Sequence, residues 1–357
     1  MQTISNTNKI KEDYLFSFMS KKYFNLSNRR FLGSKQKLLA FIEKVVNKVC
    51  PEYDTFCDIF AGTGVVGQHF NKPDVKVISN DLLVSNYIPL NAFLNSDKSQ
   101  LDENDLEEKI NYLNNLQTNG ENYFSKHFGG RYFSIESAKK IGLIREEIDE
   151  ITKDQREKYA LITSLIYAAD KIANTVGHYD AYRQKMYIKK PLELLTPQIP
   201  NHGTNLKNEI FNEDANSLIE RIECDILYMD PPYNSRQYSD TYHVLENLAE
   251  WKKPKVYGKA QKMSRRHIKS NYSSSSASET FEDLIKKARA KHIIVSYNNT
   301  GSSKHGRSNA KISDDELVTI LSQKGKVEIF EQKHKAYTAG KSITNGHTER
   351  LFYCEVK

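Results

Sequence analysis

Two stretches of this 357-residue chain carry side chains whose types and spacing suit chemistry. The first is Asp225-Ile226-Leu227-Tyr228-Met229, an apolar run that leads straight into Asp230-Pro231-Pro232-Tyr233. Two consecutive prolines lack the N–H that a sheet ladder needs, so the strand ends there and Asp230 and Tyr233 are held stiffly at its carboxyl edge. Ligands bind at that edge in open α/β sheets, and the pair offers a carboxylate acceptor beside an aromatic ring. An ordinary Pro-Pro turn is the alternative reading. The second stretch is Gly62-Thr63-Gly64-Val65-Val66-Gly67, a GxGxxG turn, with Asp81 following 19 residues after Gly62. Glycines let the backbone approach a ligand closely, and an acid at that distance reaches ribose hydroxyls. A tight turn with a surface Asp is the plainer possibility.

Both stretches need a sheet to place them. Leu38, Leu39, Ile42, Val45, Val46 and Val49 recur at helical spacing, with Ser34 positioned to cap a helix. Thr55–Phe60 reads as a buried strand entering the glycine turn, Val65–Phe70 as the next helix, and Val75–Ser79 as a second strand. Alternation of strand and helix then stops. Between about Asn95 and Asn205 the patterns are helical, including a run opened by Asp154 with Glu157 three residues on. Strands are expected again at Glu209–Asn212, Asp225–Met229, His292–Tyr297, Val327–Glu331 and Arg350–Val356, seven in all, with helices at Thr280–Ala290 and Asp314–Gln323. The fold class is α/β, and three parts follow: residues 1–95, a helical insertion at 96–205, and residues 206–357.

Lys and Arg number 52 against 45 Asp and Glu, a net +7 that suits a polyanionic partner. The excess is concentrated: Lys252, Lys253, Lys255, Lys259, Lys262, Arg265, Arg266 and Lys269 share a stretch with no acid, followed by Ser273–Ser276. A mobile basic loop over 252–279 is expected, and a solvated loop without a ligand is its bland counterpart. Cys50, Cys57, Cys224 and Cys354 show no CxxC spacing, which argues for core thiols and against zinc or disulfides. No metal is expected. The longest uncharged stretch, Leu82–Ser96, is interrupted by Asn and Pro and is too short to span a membrane. No secretory signal is visible at the N-terminus, so a cytoplasmic, nucleoid-associated protein is expected.

Taken together, these motifs resemble the S-adenosylmethionine-dependent DNA amino-methyltransferases, in particular the adenine-specific group. Arg30-Phe31-Leu32-Gly33-Ser34-Lys35 looks like the family's N-terminal cofactor segment, and Asp58-Ile59-Phe60-Ala61-Gly62-Thr63-Gly64 like its glycine motif. Asn80-Asp81 matches the ribose acid, Asp214-Ala215 the adenine-facing acid, and Asp230–Tyr233 the catalytic tetrad. The order of cofactor motifs, insertion and tetrad is that of the alpha class, which includes Dam and FokI-type modification enzymes. Gly130-Arg131-Tyr132-Phe133, Ala173-Asn174-Thr175 and Asn234-Ser235-Arg236-Gln237-Tyr238 look closer to the FokI type.

The resemblance implies a seven-stranded Rossmann-like methyltransferase sheet with an inserted, mainly helical target-recognition domain. It also implies roles. Phe31, Lys35, Asp58, Phe60, Gly62, Gly64, Asp81 and Asp214 would bind S-adenosylmethionine. Lys35 is equally readable as a solvated lysine, and Asp214 as a helix cap. Asp230 and the Pro231 carbonyl would take the two hydrogens of an exocyclic amine, localising a lone pair that the base ring otherwise delocalises. Tyr233, with Tyr297 opposite, would stack on a base flipped out of the duplex. Lys262, Arg265 and Arg266 would contact phosphates of double-stranded DNA, with Arg131, Lys139, Lys140, Lys185, Lys189 and Lys190 also available. A modification enzyme of a restriction-modification system, with a cognate endonuclease as partner, is expected to make N6-methyladenine. Alternatives are an N4-cytosine enzyme, a nicotinamide-dependent dehydrogenase and a DNA-binding module without catalysis. Gly64→Val is expected to abolish cofactor binding and leave the fold largely intact.

Overall fold

Strand side chains alternate between two buried faces. Phe56, Val77, Ile226, Tyr228 and Ile294 point into one apolar cluster, and Cys57, Ile78, Leu227, Met229, Ile293 and Val295 into the other. A strand buried on both faces needs helices on both, which is the doubly wound arrangement. The computed structural model describes residues 23–186, 191–200, 204–298, 310–333 and 348–357. Its strands are β1 (Tyr23–Phe24), β2 (Thr55–Asp58), β3 (Lys76–Asn80), β4 (Thr196–Pro197), β5 (Glu209–Phe211), β6 (Glu223–Met229), β7 (Arg289–Asn298), β8 (Gly325–Lys333) and β9 (Thr348–Val356). Seven form one sheet in the order β5-β3-β2-β6-β7-β9-β8, parallel except for β9, which runs against β7 and β8. β1 and β4 make a separate parallel pair.

One face carries α1 (Leu39–Val49), α2 (Val65–Phe70) and α3 (Val84–Leu94). Next come α4 (Glu103–Asn115), α5 (Tyr123–Phe128), α6 (Ile135–Ile151) and α7 (Gln155–Ile172), of which α4, α6 and α7 lie where helical patterns were expected and α5 was not foreseen. Side-chain caps start them. Asp102 accepts from the N–H groups of Asn104 and Asp105, Ser134 from Ser137, and Asp154 from Arg156 and Glu157. Their apolar sides join the sheet's core in one cluster, with α3 packed along α7. After the third sheet strand come α8 (Ala215–Leu218), α9 (Tyr238–Thr241) and α10 (His243–Glu250). Helices α11 (Ala277–Lys287) and α12 (Asp314–Ser322) cover the opposite face with α8. No helix among the described residues is long and apolar enough to cross a membrane. All four cysteines are buried and free.

Two local expectations are corrected. Ser34 makes no side-chain cap; Lys35–Leu38 is a 3-10 turn and the α-helix begins at Leu39, because Lys35 is drawn inward to an acid described below. The helix expected to reach Ala290 stops at Lys287, since Arg289 and Ala290 pair with Glu223 and Cys224 of β6. There the sheet's hydrogen bonds override the helical pattern.

Gly64 is the third correction. It sits at φ +82°, and a Cβ there would lie 2.4 Å from Leu90 and 3.2 Å from Leu26, both core residues. A left-handed non-glycine residue costs about 1–2 kcal/mol, and overpacking a core adds about 1–3 kcal/mol. Gly64→Ala should therefore lose roughly 2–5 kcal/mol of unfolding free energy in a denaturant titration. Unaltered stability would show that the turn relaxes without strain.

Candidate active site

The carboxyl ends of β2, β3 and β6 open on one cleft. Each strand delivers an acid to it: Asp58 ends β2, Asp81 follows β3 and Asp230 follows β6. The glycine turn Ala61–Gly64 and residues Phe31–Lys35 complete one wall, and Asp214 with Ala215 another.

At the tetrad, Lys35 Nζ stands 2.7 Å from Asp230 Oδ2, and both side chains are largely buried. Burial alone would pull the lysine down, but the charges of Asp230 and Glu349 and the hydrogen bond to Asp230 outweigh it and raise its pKa. Burial raises the Asp230 carboxyl, and Lys35 opposes that shift. The result is a charged pair held out of water. Asp58 is pushed up to about 8, by its own burial first and then by the Asp230 charge, so it holds a proton at neutral pH. Pro232 lines the cleft and Pro231 is buried beneath it. Tyr233 is half-buried, and its carbonyl accepts from the N–H of Lys311 at 2.8 Å and from the Tyr297 hydroxyl at 3.4 Å.

At the other end of the cleft, Asp81 accepts from the N–H groups of Gly62 at 2.9 Å and Leu83 at 2.8 Å, and from the Asn86 amide at 3.0 Å. A carboxylate has about four acceptor positions, so about one is left for a ligand hydroxyl. Burial nevertheless raises its pKa to about 6. Gly62 lies at φ +54°, with the Phe31 ring 3.2 Å from where its Cβ would be. Phe60 and Tyr272 meet edge-to-face at 4.9 Å beside Asp214, which caps α8 through the N–H groups of Asn216 and Ser217. Acceptors at one end, rings between, and a fixed carboxylate at the far end suit an adenosine-like ligand and a planar amine.

The family model for D12 class N6 adenine-specific DNA methyltransferases matches residues 31–300, a span that includes the glycine turn, Asp81, Asp214 and Asp230–Tyr233. The chain belongs to this family. Among curated relatives, the modification methylase StsI of Streptococcus sanguinis is 35% identical over 349 residues, covering 92% of this chain and 52% of that protein. Type II methyltransferase M.FokI of Planomicrobium okeanokoites is 35% identical over 349 residues, covering 91% and 52%. Type II methyltransferase M.NlaIII of Neisseria lactamica is 32% identical over 329 residues, covering 89% and 95%. The chain thus spans about half the length of the first two and nearly all of the third. Family membership sets aside the dehydrogenase reading.

In this D12-class chain, Phe31, Lys35, Asp58, Phe60, Gly62, Asp81, Asp214, Asp230 and Pro232 share the cleft. Other expected site residues stand elsewhere. Gly64 faces the core. Tyr297 is 1% exposed within β7, with no open face for a base; its hydroxyl accepts from the N–H of Ile312 at 3.1 Å and donates to the Tyr233 carbonyl, so it braces the tetrad from behind. Lys262 pairs with Asp180 and Asp240, and Arg265 with Asp240, so each cation already has a carboxylate partner within the fold. Arg266 is exposed. Lys140 donates to the Asn114 carbonyl, and Lys189 and Lys190 lie outside the described residues. Sequence reading also missed Asn86 and Arg29, because their bonds to Asp81 and to each other are made only when α3 packs beside the turn.

Because protonation removes the Asp81 charge and turns one of its acceptor oxygens into a donor, ligand affinity should be flat above about pH 7 and fall below about pH 6, by up to about tenfold per pH unit. Asp81→Asn should bind weakly with no such limb. Calorimetry with S-adenosylhomocysteine between pH 5 and 8 checks both, and a wild-type profile without the acid limb would exclude Asp81 from the contact.

Proposed function

We propose that this chain is a site-specific DNA adenine N6-methyltransferase that uses S-adenosylmethionine, the modification enzyme of a restriction-modification system. The observation that carries the reading is the single cleft joining the Gly62–Asp81 end to Asp230. The residues fit the methyl donor: Asp81 for a ribose hydroxyl, Asp214 beside the Phe60–Tyr272 pair for the adenine, and Phe31 with Gly62 along the middle. S-adenosylmethionine, when bound, supplies a methyl group on a sulfonium. Asp230 accepts one hydrogen of the adenine amine and the Pro231 carbonyl the other, which keeps the nitrogen lone pair out of the ring. Tyr233 presents its ring to the flipped base and offsets part of the few kcal/mol lost on unstacking. Lys35 holds Asp230 ionised until the amine takes its place at the carboxylate. The nitrogen would gain the methyl carbon as the carbon–sulfur bond breaks and its electron pair returns to sulfur, leaving S-adenosylhomocysteine, and the proton it sheds would pass through the Asp230 carboxylate to water.

Residues 251–270 supply the DNA face. They form an ordered strap: Tyr257 and Lys262 exchange two N–H···O bonds of 2.9 Å, the Ala260 carbonyl accepts from Tyr132 and His243, and the Pro254 carbonyl accepts from Tyr123. Trp251, Lys253 and Gln261 hold positive φ without being glycine. Ion pairs from Lys262 and Arg265 tie the strap to α9. Lys255, Lys259, Arg266 and Lys269 stay exposed on it. These four, rather than Lys262 and Arg265, are assigned to phosphates. The helices of residues 96–205 are assigned to target recognition, a cognate endonuclease is the implied partner, and the nucleoid the place of work. The names of StsI, as a modification methylase, and of M.FokI and M.NlaIII, as type II methyltransferases, support this context.

Digesting DNA exposed to the protein and S-adenosylmethionine should yield N6-methyladenine by mass spectrometry, and Asp230→Ala should yield none while still binding DNA. N4-methylcytosine alone would overturn the adenine assignment, and no methylated base would leave a binding module. For the strap, replacing Lys255, Lys259, Arg266 and Lys269 by Ala should weaken DNA binding and lower the slope of log K against log salt by up to about one per lost contact. An unchanged slope would take the strap off the DNA.

A further inference from the structure

We propose that Tyr238 and Tyr242 are positioning residues for methyl transfer, gripping the backbone of Leu32 and so setting the Phe31–Lys35 segment between cofactor and tetrad. This rests on the cofactor reading above. Four residues apart, the two tyrosines present the same side of a helical turn. The Tyr238 hydroxyl donates to the Leu32 carbonyl at 3.2 Å, and the Leu32 N–H donates to the Tyr242 hydroxyl at 2.8 Å. Leu32 lies in neither helix nor strand, so these hydroxyls take the place of a backbone ladder.

The rings act as well. Phe31 lies parallel to Tyr238, with centroids 5.3 Å apart at 7°, and to Tyr242, at 4.6 Å and 8°. The Arg29 guanidinium stands 5.6 Å from the Phe31 and Tyr242 centroids, held by the Ser85 carbonyl and by Asn86, which also binds Asp81. Gly33 turns at φ +80° against the Tyr238 hydroxyl, where a Cβ would come within 3.0 Å. A closed circuit results: the chain leaves Asp230, reaches Tyr238 and Tyr242, crosses to Leu32, and returns through Lys35 to Asp230. Displacing Leu32 moves Phe31 off the cleft wall and Lys35 off the carboxylate together. Tyr238 and Tyr242 are therefore expected to control cofactor affinity at a distance from the reacting atoms.

Tyr238→Phe and Tyr242→Phe in the full chain keep the stacked rings and remove one hydroxyl each. One hydrogen bond contributes about 0.5–1.5 kcal/mol net, or roughly two- to twelvefold. Each variant should raise the dissociation constant of S-adenosylhomocysteine and the KM of S-adenosylmethionine by about that factor, and the double variant by more, with the KM of DNA within about twofold of wild type. Unchanged cofactor affinity in the double variant overturns the proposal. Equal rises in both KM values with a lowered melting temperature also overturn it, by marking the tyrosines as general packing. Should Tyr242→Phe, at a fully buried ring, fail to fold, Tyr238→Phe at a half-buried one carries the test. A wild type that binds no S-adenosylhomocysteine would overturn the cofactor reading and this proposal with it, a result distinct from a binding wild type with unaffected variants.

Discussion

The ion pair between Lys35 and Asp230 is the contact on which the rest of the site depends. Two opposite charges removed from water attract strongly, but each also loses solvation, and the pair persists only where its geometry is fixed from both sides. Asp230 is fixed by β6 and the two prolines that end it. Lys35 has no such element behind it; a 3-10 turn leads into α1, and the Tyr238 and Tyr242 hydroxyls hold the residues before it. Taking away either charge would leave the other buried alone, which is costlier than never having buried the pair.

The sheet turns this contact into a site. Strands β2 and β6 are neighbours, with Asp58 opposite Tyr228 in register, so the acids at their ends share one electrostatic environment. A neutral Asp58 follows, because it is buried first of all and because the region already carries the Asp230 charge. On the far side of β2, β3 brings Asp81 to the same edge, and the glycine turn closes over it. Behind the tetrad, β7 carries Tyr297 to Tyr233, and β9 inserts antiparallel between β7 and β8, where its first residues bring Glu349 within electrostatic reach of Lys35.

Much of this was legible in the sequence because its causes are local. All seven sheet strands lie where alternation and turn residues put them, and the tetrad and glycine turn sit at strand ends because proline and glycine punctuate chains wherever they occur. What was not legible depends on distant partners. Nothing near Lys35 marks it as the companion of Asp230, and nothing near Lys262 or Arg265 announces Asp180 and Asp240, so a run of cations read as a mobile loop is partly an internal salt-bridge network. Gly64 fits the glycine motif as well as Gly62 does; what separates them is packing, with Leu90 and Leu26 against Gly64 and the Phe31 ring against Gly62. Tyr297 has the right type and position for a base-stacking residue, and burial alone removes it from that role.

The three non-glycine residues at positive φ in the strap bear on how it would meet the DNA proposed for it. Left-handed backbone at Trp251, Lys253 and Gln261 costs about 1–2 kcal/mol each, borne by the folded state through the bonds to Pro254 and Ala260. A basic segment that ordered itself only on contact would surrender that entropy at the moment of association, weakening binding and slowing commitment. Here the backbone that carries the lysines is already held, so on the proposed DNA-facing reading an encounter with a duplex would cost little backbone entropy. On that reading, discrimination between sequences would fall to contacts made after the first electrostatic touch.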